Sequence, residues 1–378
     1  MKNENVPEIR FKGFVDAWEQ RKLKDLAEFN PKSTLPYEFE YVDLESVVGT
    51  DLVSHRTELK ESSPSRAQRL AQRGDVFYQT VRPYQKNNYL YDLPYNNYVF
   101  STGYAQMRPS IDSYFLFSHI QEEQFVKDVL DRSTGTSYPA IKSNDLAEIE
   151  IKVPVDSGEQ EKVGSFFRTL DDTIALHKGQ LDKLKLLKKS CLQQMFPKNG
   201  EKVPRIRFAD FHGEWEERKV SEIAPLQRGF DLPVSGMITG GYPVVMSNGI
   251  GGYHNKYKVK GPGVVTGRSG TIGKMQYIEC DYWPHNTALW VTSFKNSIPK
   301  YIYYMYQKLD LSKYGTGSGV PTLNRNDVHD CVIPIPKTEE QIKITEHLSN
   351  LDNLITLHAG RITELKKFKK ICLQKMLI

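Results

Sequence analysis

The chain has 378 residues, 39% of them hydrophobic, which is long for one compact core and enough for two, so two domains are expected. A net charge of +5 with a pI near 8.7 excludes a uniformly basic shell and fits an anionic partner met through local patches. No apolar run approaches the length of a membrane span, and the opening MKNENVPEIRF carries no signal core, which predicts a soluble cytoplasmic protein with no membrane partner.

Residues 6–29 (VPEIRFKGFVDAWEQRKLKDLAEF) return at 203–226 (VPRIRFADFHGEWEERKVSEIAPL), with 11 of 24 positions identical. Arg10/Arg207, Phe11/Phe208 and Trp18/Trp215 are matched, and the reading preferred for them is structural, as anchors where each half begins. The interiors that follow are unlike each other, but they keep landmarks. Phe77 to Arg82 lies against Gly263 to Arg268, a strand ending in an arginine, and 136–154 matches 318–336 with Pro139/Pro321 and Asn144/Asn326 in register. Short alternating β-branched runs and Tyr/Asn/Gly-rich loops predict mixed α+β domains.

Each half closes on a long segment. Residues 159–196 and 340–377 agree at 17 of 38 positions, a true internal repeat. Apolar residues step by threes and fours through Leu170, Ile174, His177, Leu181, Leu184 and Leu187 in the first copy, and through Leu351, Ile355, His358, Ile362, Leu365 and Phe368 in the second. Each copy is therefore an amphipathic helix of about 57 Å whose narrow seam needs a partner helix, and the chain supplies two. Gly179 and Gly360 match near the middle and leave room for a bend. Lysine runs at 183–189 and 366–370 most commonly mark a solvated helix face, with a phosphate contact or a docked subunit as the functional alternatives. Cys191, Cys280, Cys331 and Cys372 have neither metal-ligand nor disulfide spacing.

Catalytic motifs fail. GRSGTIGKM (267–275) lacks the order of a phosphate loop, GIGGYH (249–254) lacks dinucleotide spacing, and no GxSxG, HExxH or Asn-Pro-Pro-Tyr-like quartet is present. What remains suits DNA. In the first half Tyr78, Gln79, Arg82, Tyr84, Gln85, Lys86, Asn87 and Asn88 interleave basic, amide and aromatic side chains, followed by Thr136, Ser137 and Tyr138 in a small-residue loop. The second half offers Asn248, Tyr253, Asn255, Lys256, Tyr257, Lys258, Arg268, Ser269, Lys274 and Asn286, then Thr316 and Ser318. Arg and Lys pair with guanine, Asn and Gln with adenine, and all can hold phosphates. A Tyr-rich loop touching only water is the alternative for any single residue.

The two-copy layout, the openings VPEIRF and VPRIRF each followed by a tryptophan, the IALH and ITLH helices and the GRSGTIGK stretch resemble the DNA-specificity subunit of type I restriction-modification enzymes. The resemblance implies two mixed α/β target-recognition domains, 1–157 and 197–338, each reading half of a bipartite site. Helices 158–196 and 339–378 would pack as an antiparallel coiled-coil spacer with an internal pseudo-twofold repeat. It also implies a non-catalytic chain with no metal or cofactor of its own. Two methylation subunits would dock on the helices and two restriction subunits would join through them, with S-adenosylmethionine, ATP and Mg²⁺ on those partners. Full antiparallel overlap of the helices would bring His177 and His358 together at their midpoint and put Cys191 and Cys372 at opposite ends, with no disulfide between them. A stand-alone DNA-binding regulator and, more weakly, a nuclease stay open as rivals.

Overall fold

The computed structural model describes residues 5–198, 200–316 and 322–377. Packing divides the chain into two compact units, Met1–Lys178 with Gly360–Ile378, and Gly179–Ala359. The division falls inside both long helices, at the matched glycines.

The first unit is tied together at its opening. Arg10 forks onto the Glu159 carboxylate at the start of the central helix, with both N–H···O distances 2.7 Å, and Ile9 N–H donates to the Lys375 carbonyl near the end of the C-terminal helix. Trp18 is buried edge-on against Phe115. Strand Glu19–Lys22 then pairs antiparallel with Glu150–Val153, the strand that precedes the central helix, so the domain's beginning and end are hydrogen-bonded to each other.

Between them lie two four-stranded sheets. One runs in the order Ala27–Phe29, Tyr104–Pro109, Val76–Gln79, Tyr89–Leu90, antiparallel throughout. The other runs Arg56–Leu59, Glu38–Val42, Tyr98–Ser101, Ala67–Leu70, with its central pair parallel. Val76–Gln79 is buried on both faces. Its alternation sends Val76 and Tyr78 into the core against the helices, while Phe77 enters the core of the second sheet and stacks on Phe100 at 3.7 Å.

The second unit repeats the plan. Arg207 forks onto Glu340 at 2.8 Å, Ile206 N–H donates to Gln194, Trp215 is buried, and Glu216–Lys219 pairs with Val332–Ile335. Its larger sheet runs Leu226–Arg228, Ala288–Val291, Gly263–Gly267, Met275–Ile278, strand for strand the order of the first. Its smaller sheet, Gly249–His254, Tyr242–Met246, Trp283–Pro284, keeps the antiparallel and parallel pairings. Among the described residues, Ala67–Leu70 has no counterpart in it. His329 fastens the first strand of the larger sheet by accepting the Leu226 N–H at 2.8 Å.

The central helix spans Ser157–Gln194 and the C-terminal helix Thr338–Met376. In the first unit Val163 and Phe167 share a core with Cys372 and Met376, and Asp171 takes Lys369 at 2.6 Å. In the second, Cys191 Sγ lies 3.6 Å from His347 and Lys188 reaches Asp352 at 2.6 Å. Partner numbers fall as residue numbers rise, so the helical stretches run antiparallel within each unit. Leu170, Ile174, Leu351, Ile362 and Leu365 are buried in the seam, with His177, Leu181, Leu184, Ile355 and His358 half-buried. Leu187 and Phe368 do not continue it, being 47% and 49% exposed. From Leu184 and Leu365 the seam steps by four to Lys188 and Lys369, which an apolar-only reading of the period passes over.

Candidate nucleic-acid interface

Two loops meet at the end of the buried strand Val76–Gln79. Arg82 N–H donates to Pro139 O at 2.8 Å, Ile141 N–H donates to Thr80 O at 3.0 Å, and Thr134 and Ala140 exchange both backbone bonds at 2.9 Å. These bonds close 134–140 into a tight loop beside the strand end. Gly135 is in the left-handed region at φ 93°, where an added Cβ would sit 2.9 Å from Tyr138 O, so glycine is required there. Arg82 itself adopts φ 55°, ψ 56°, uncommon for a side chain of its size. Its guanidinium lies over the Tyr138 ring, 4.4 Å from the centroid. Tyr138 is 63% exposed, and Tyr84, Gln85, Thr136 and Ser137 are exposed around it.

The rest of the interleaved stretch holds this loop from beneath. Tyr78, Gln79 and Asn88 are at most 2% exposed, which removes them as DNA contacts. The Tyr78 ring packs on Phe125, and burial pushes its hydroxyl well above the usual range. Asn88 Oδ1 accepts the Gln79 N–H, and Gln79 Nε2 donates to Val81 O and Gln85 Oε1. Asn87 caps the Gly49 N–H. Lys86 turns its ammonium to the Gln121 carbonyl, where partial burial lowers its pKa.

The second unit builds the same junction from different residues. Arg268 follows the strand Gly263–Gly267; its N–H donates to Thr287 O and its carbonyl accepts from Leu323 N–H, at 3.0 and 2.8 Å. Ser269 bridges Thr322, which pairs with exposed Thr316; Ser318 lies outside the described residues. The GRSGTIG turn folds back tightly, since a Cβ on Gly267 would meet Thr271 O at 2.2 Å. Thr271 Oγ1 donates to Ser247 O, and Lys274 Nζ to Asn248 O. Asn248, Arg268, Ser269, Lys274 and Thr316 therefore gather at one end.

The remaining candidates do not join them. Tyr253 lies at the far end of strand Gly249–His254 and Asn255, Lys256, Tyr257 and Lys258 just beyond it, roughly 20 Å away at the rise of a β-strand. There Lys258 lies 5.0 Å from the centre of the Trp283 ring. Asn286 donates to Asp231 and is taken up by it.

Sequence inspection missed one repeated cluster. Asp171 accepts from Tyr114 and Lys369, and Asp352 from Tyr304 and Lys188. The signal was present, because both Asp–Lys pairs occupy identical positions in the helix repeat. This splits the lysine runs: Lys188 and Lys369 reach across to the aspartate on the facing long helix that also takes the tyrosine, whereas Lys183, Lys185, Lys189, Lys366 and Lys367 are exposed.

A family model described as the type I restriction modification DNA specificity domain matches residues 16–186 and again 212–367. The type I restriction enzyme MjaVIII specificity subunit of Methanocaldococcus jannaschii is 22% identical over 68% of this chain and 68% of its own length. The putative MjaX specificity subunit of the same organism is 19% identical over 98% and 95%. In fold, the chain is similar to the S subunit of a type I restriction-modification system from M. genitalium, with TM-score 0.70 and 14% identity over 99% of both chains. A chain from a structure describing complex assembly and conformational transition of a type I R-M system gives TM-score 0.56 and 21% identity over 95% and 97%. Among the described residues no helix is long and apolar enough to cross a membrane. With the family's domain present in each half, this chain belongs to the type I restriction-modification DNA specificity subunits, the non-catalytic component that supplies DNA sequence recognition.

Proposed function

We propose that each unit reads one half of a split duplex site through its strand-end junction, with the long helices as the spacer. The observation that carries this is the pairing of one scaffold with two sets of side chains. Arg82, Tyr84, Gln85 and Tyr138 lie at the junction of one unit, and Arg268, Ser269, Lys274 and Asn248 at that of the other. Equal frames bearing unlike polar loops suit two different half-sites.

Two methylation subunits dock on the long helices, and two restriction subunits join through them. Leu176 and Leu357, at matched repeat positions, are 60% and 65% exposed, as are the matched Leu187 and Phe368 to about half. Each unit thus offers a like pair of apolar side chains for a partner to cover. S-adenosylmethionine, ATP and Mg²⁺ would be held by those partners, and the assembly would act in the cytoplasm.

The test is to express the chain with its methylation subunit in a host lacking adenine methylation and to map modified adenines. Methylation at a split motif is expected, and replacing residues 30–150 by those of another specificity subunit should change one half-site only. A stable complex whose methylation ignores that replacement would overturn the assignment of reading to the junctions.

A further inference from the structure

We infer that Arg82 and Arg268 are the guanine-reading residues of the two half-sites, so that the split site carries a G·C pair at corresponding positions in both halves. The inference rests on the proposed reading role and adds to it the base that each unit selects.

Both arginines stand at the end of the same strand of the larger sheet, Val76–Gln79 in one unit and Gly263–Gly267 in the other. Both are held by backbone bonds to neighbouring loops, Arg82 to Pro139 and Arg268 to Thr287 and Leu323. Both are half-buried, and among the described residues neither guanidinium meets a carboxylate.

Several other arginines are neutralised instead, although half-buried Arg69 likewise meets no carboxylate among the described residues. Arg10 is paired with Glu159, Arg56 with Asp43 and Glu58, Arg108 with Asp75, and Arg207 with Glu340. A half-buried planar cation without an anion has donors to satisfy, and its fork matches two acceptors lying in one plane. Guanine offers that pair, O6 and N7, on its major-groove edge.

The setting of Arg82 favours a base over a phosphate. Tyr138 covers one flat face of the guanidinium, leaving the N–H edge for a partner in the plane. The left-handed backbone at Arg82 fixes where the side chain leaves the loop, which a mobile phosphate contact does not require.

The test uses the complex of the full chain with its methylation subunit, incubated with duplexes randomised across the site, and the bound fraction is sequenced. The unsubstituted complex should enrich a split motif with G·C at one corresponding position in each half. Arg82→Asn, whose side chain tolerates the left-handed conformation, should lower the guanine preference about five- to a hundredfold at one position of one half-site. Arg268→Asn should do the same in the other half only.

A motif lacking G·C in either half would overturn the inference, as would an Arg82→Asn complex that binds every duplex more weakly with its motif unchanged. Should Arg82→Asn abolish binding, Arg82→Gln decides: its amide pairs with adenine rather than guanine, and retention of full guanine preference would count against the inference. Failure of the unsubstituted complex to select any split motif would instead sink the reading role itself.

Discussion

At the scale of single residues, the strongest local commitment is the arginine fork at the opening of each unit. Glu159 is 1% exposed and its compensating charge is Arg10. Removing one partner of such a pair strands a buried charge, whereas removing both costs much less. Arg10→Ala should therefore destabilise the protein by about 3 kcal/mol, read as a lowered urea midpoint, and adding Glu159→Gln should recover part of the loss. His329 makes a commitment of another kind. Burial, helped by Arg325, lowers its pKa from 6.5, and the neutral ring accepts the Leu226 N–H. Because the folded value is the lower one, this stabilisation is full above about pH 6.5 and is lost as pH falls through the depressed folded value. Thermal midpoints measured from pH 8 to pH 5 should fall across that window. His329→Leu should flatten the step while costing about 1–3 kcal/mol at pH 8, through the orphaned N–H.

At the scale of elements, the long helices were legible almost to their ends: a repeat with steps of three and four placed them at 159–196 and 340–377, and they occupy 157–194 and 338–376. Periodicity alone erred at Leu187 and Phe368, because the next seam contact is a lysine whose ammonium reaches an aspartate on the facing helix. The candidate DNA-contact loops were only half legible. Tyr78 and Gln79 have the composition of DNA contacts, but their strand is buried on both faces and has no solvent side, and Asn88 turns inward to the Gln79 N–H; sequence alternation does not reveal a second sheet. In the second unit, the division of candidates between two ends of a hairpin depends on strand direction, which composition does not carry. Gly179 and Gly360 lie inside the long helices, and a Cβ at either would meet nothing within 4 Å. Gly179→Ala and Gly360→Ala should each raise stability by about 0.5–1 kcal/mol through helix propensity, measured by denaturant unfolding.

At the scale of the whole molecule, the duplication extends beyond sequence identity. The interiors of the two units diverged until a constant alignment offset failed, yet the larger sheets keep the same strand order and the smaller ones the same parallel pair. The backbone bond from Ile206 to Gln194 is matched by that from Ile9 to Lys375. The first of these is bridged by continuous chain, while the second joins segments from opposite ends of the sequence. Eleven residues separate Gln194 from Ile206, and as many would separate Lys375 from Ile9 if Ile378 were bonded to Met1. The C-terminal helix thus meets the opening of the first unit as the central helix meets that of the second. A permuted chain with Ile378 joined to Met1 and new termini opened between Lys198 and Glu201 should melt within a few degrees of the original and, with its methylation subunit, mark the same split motif.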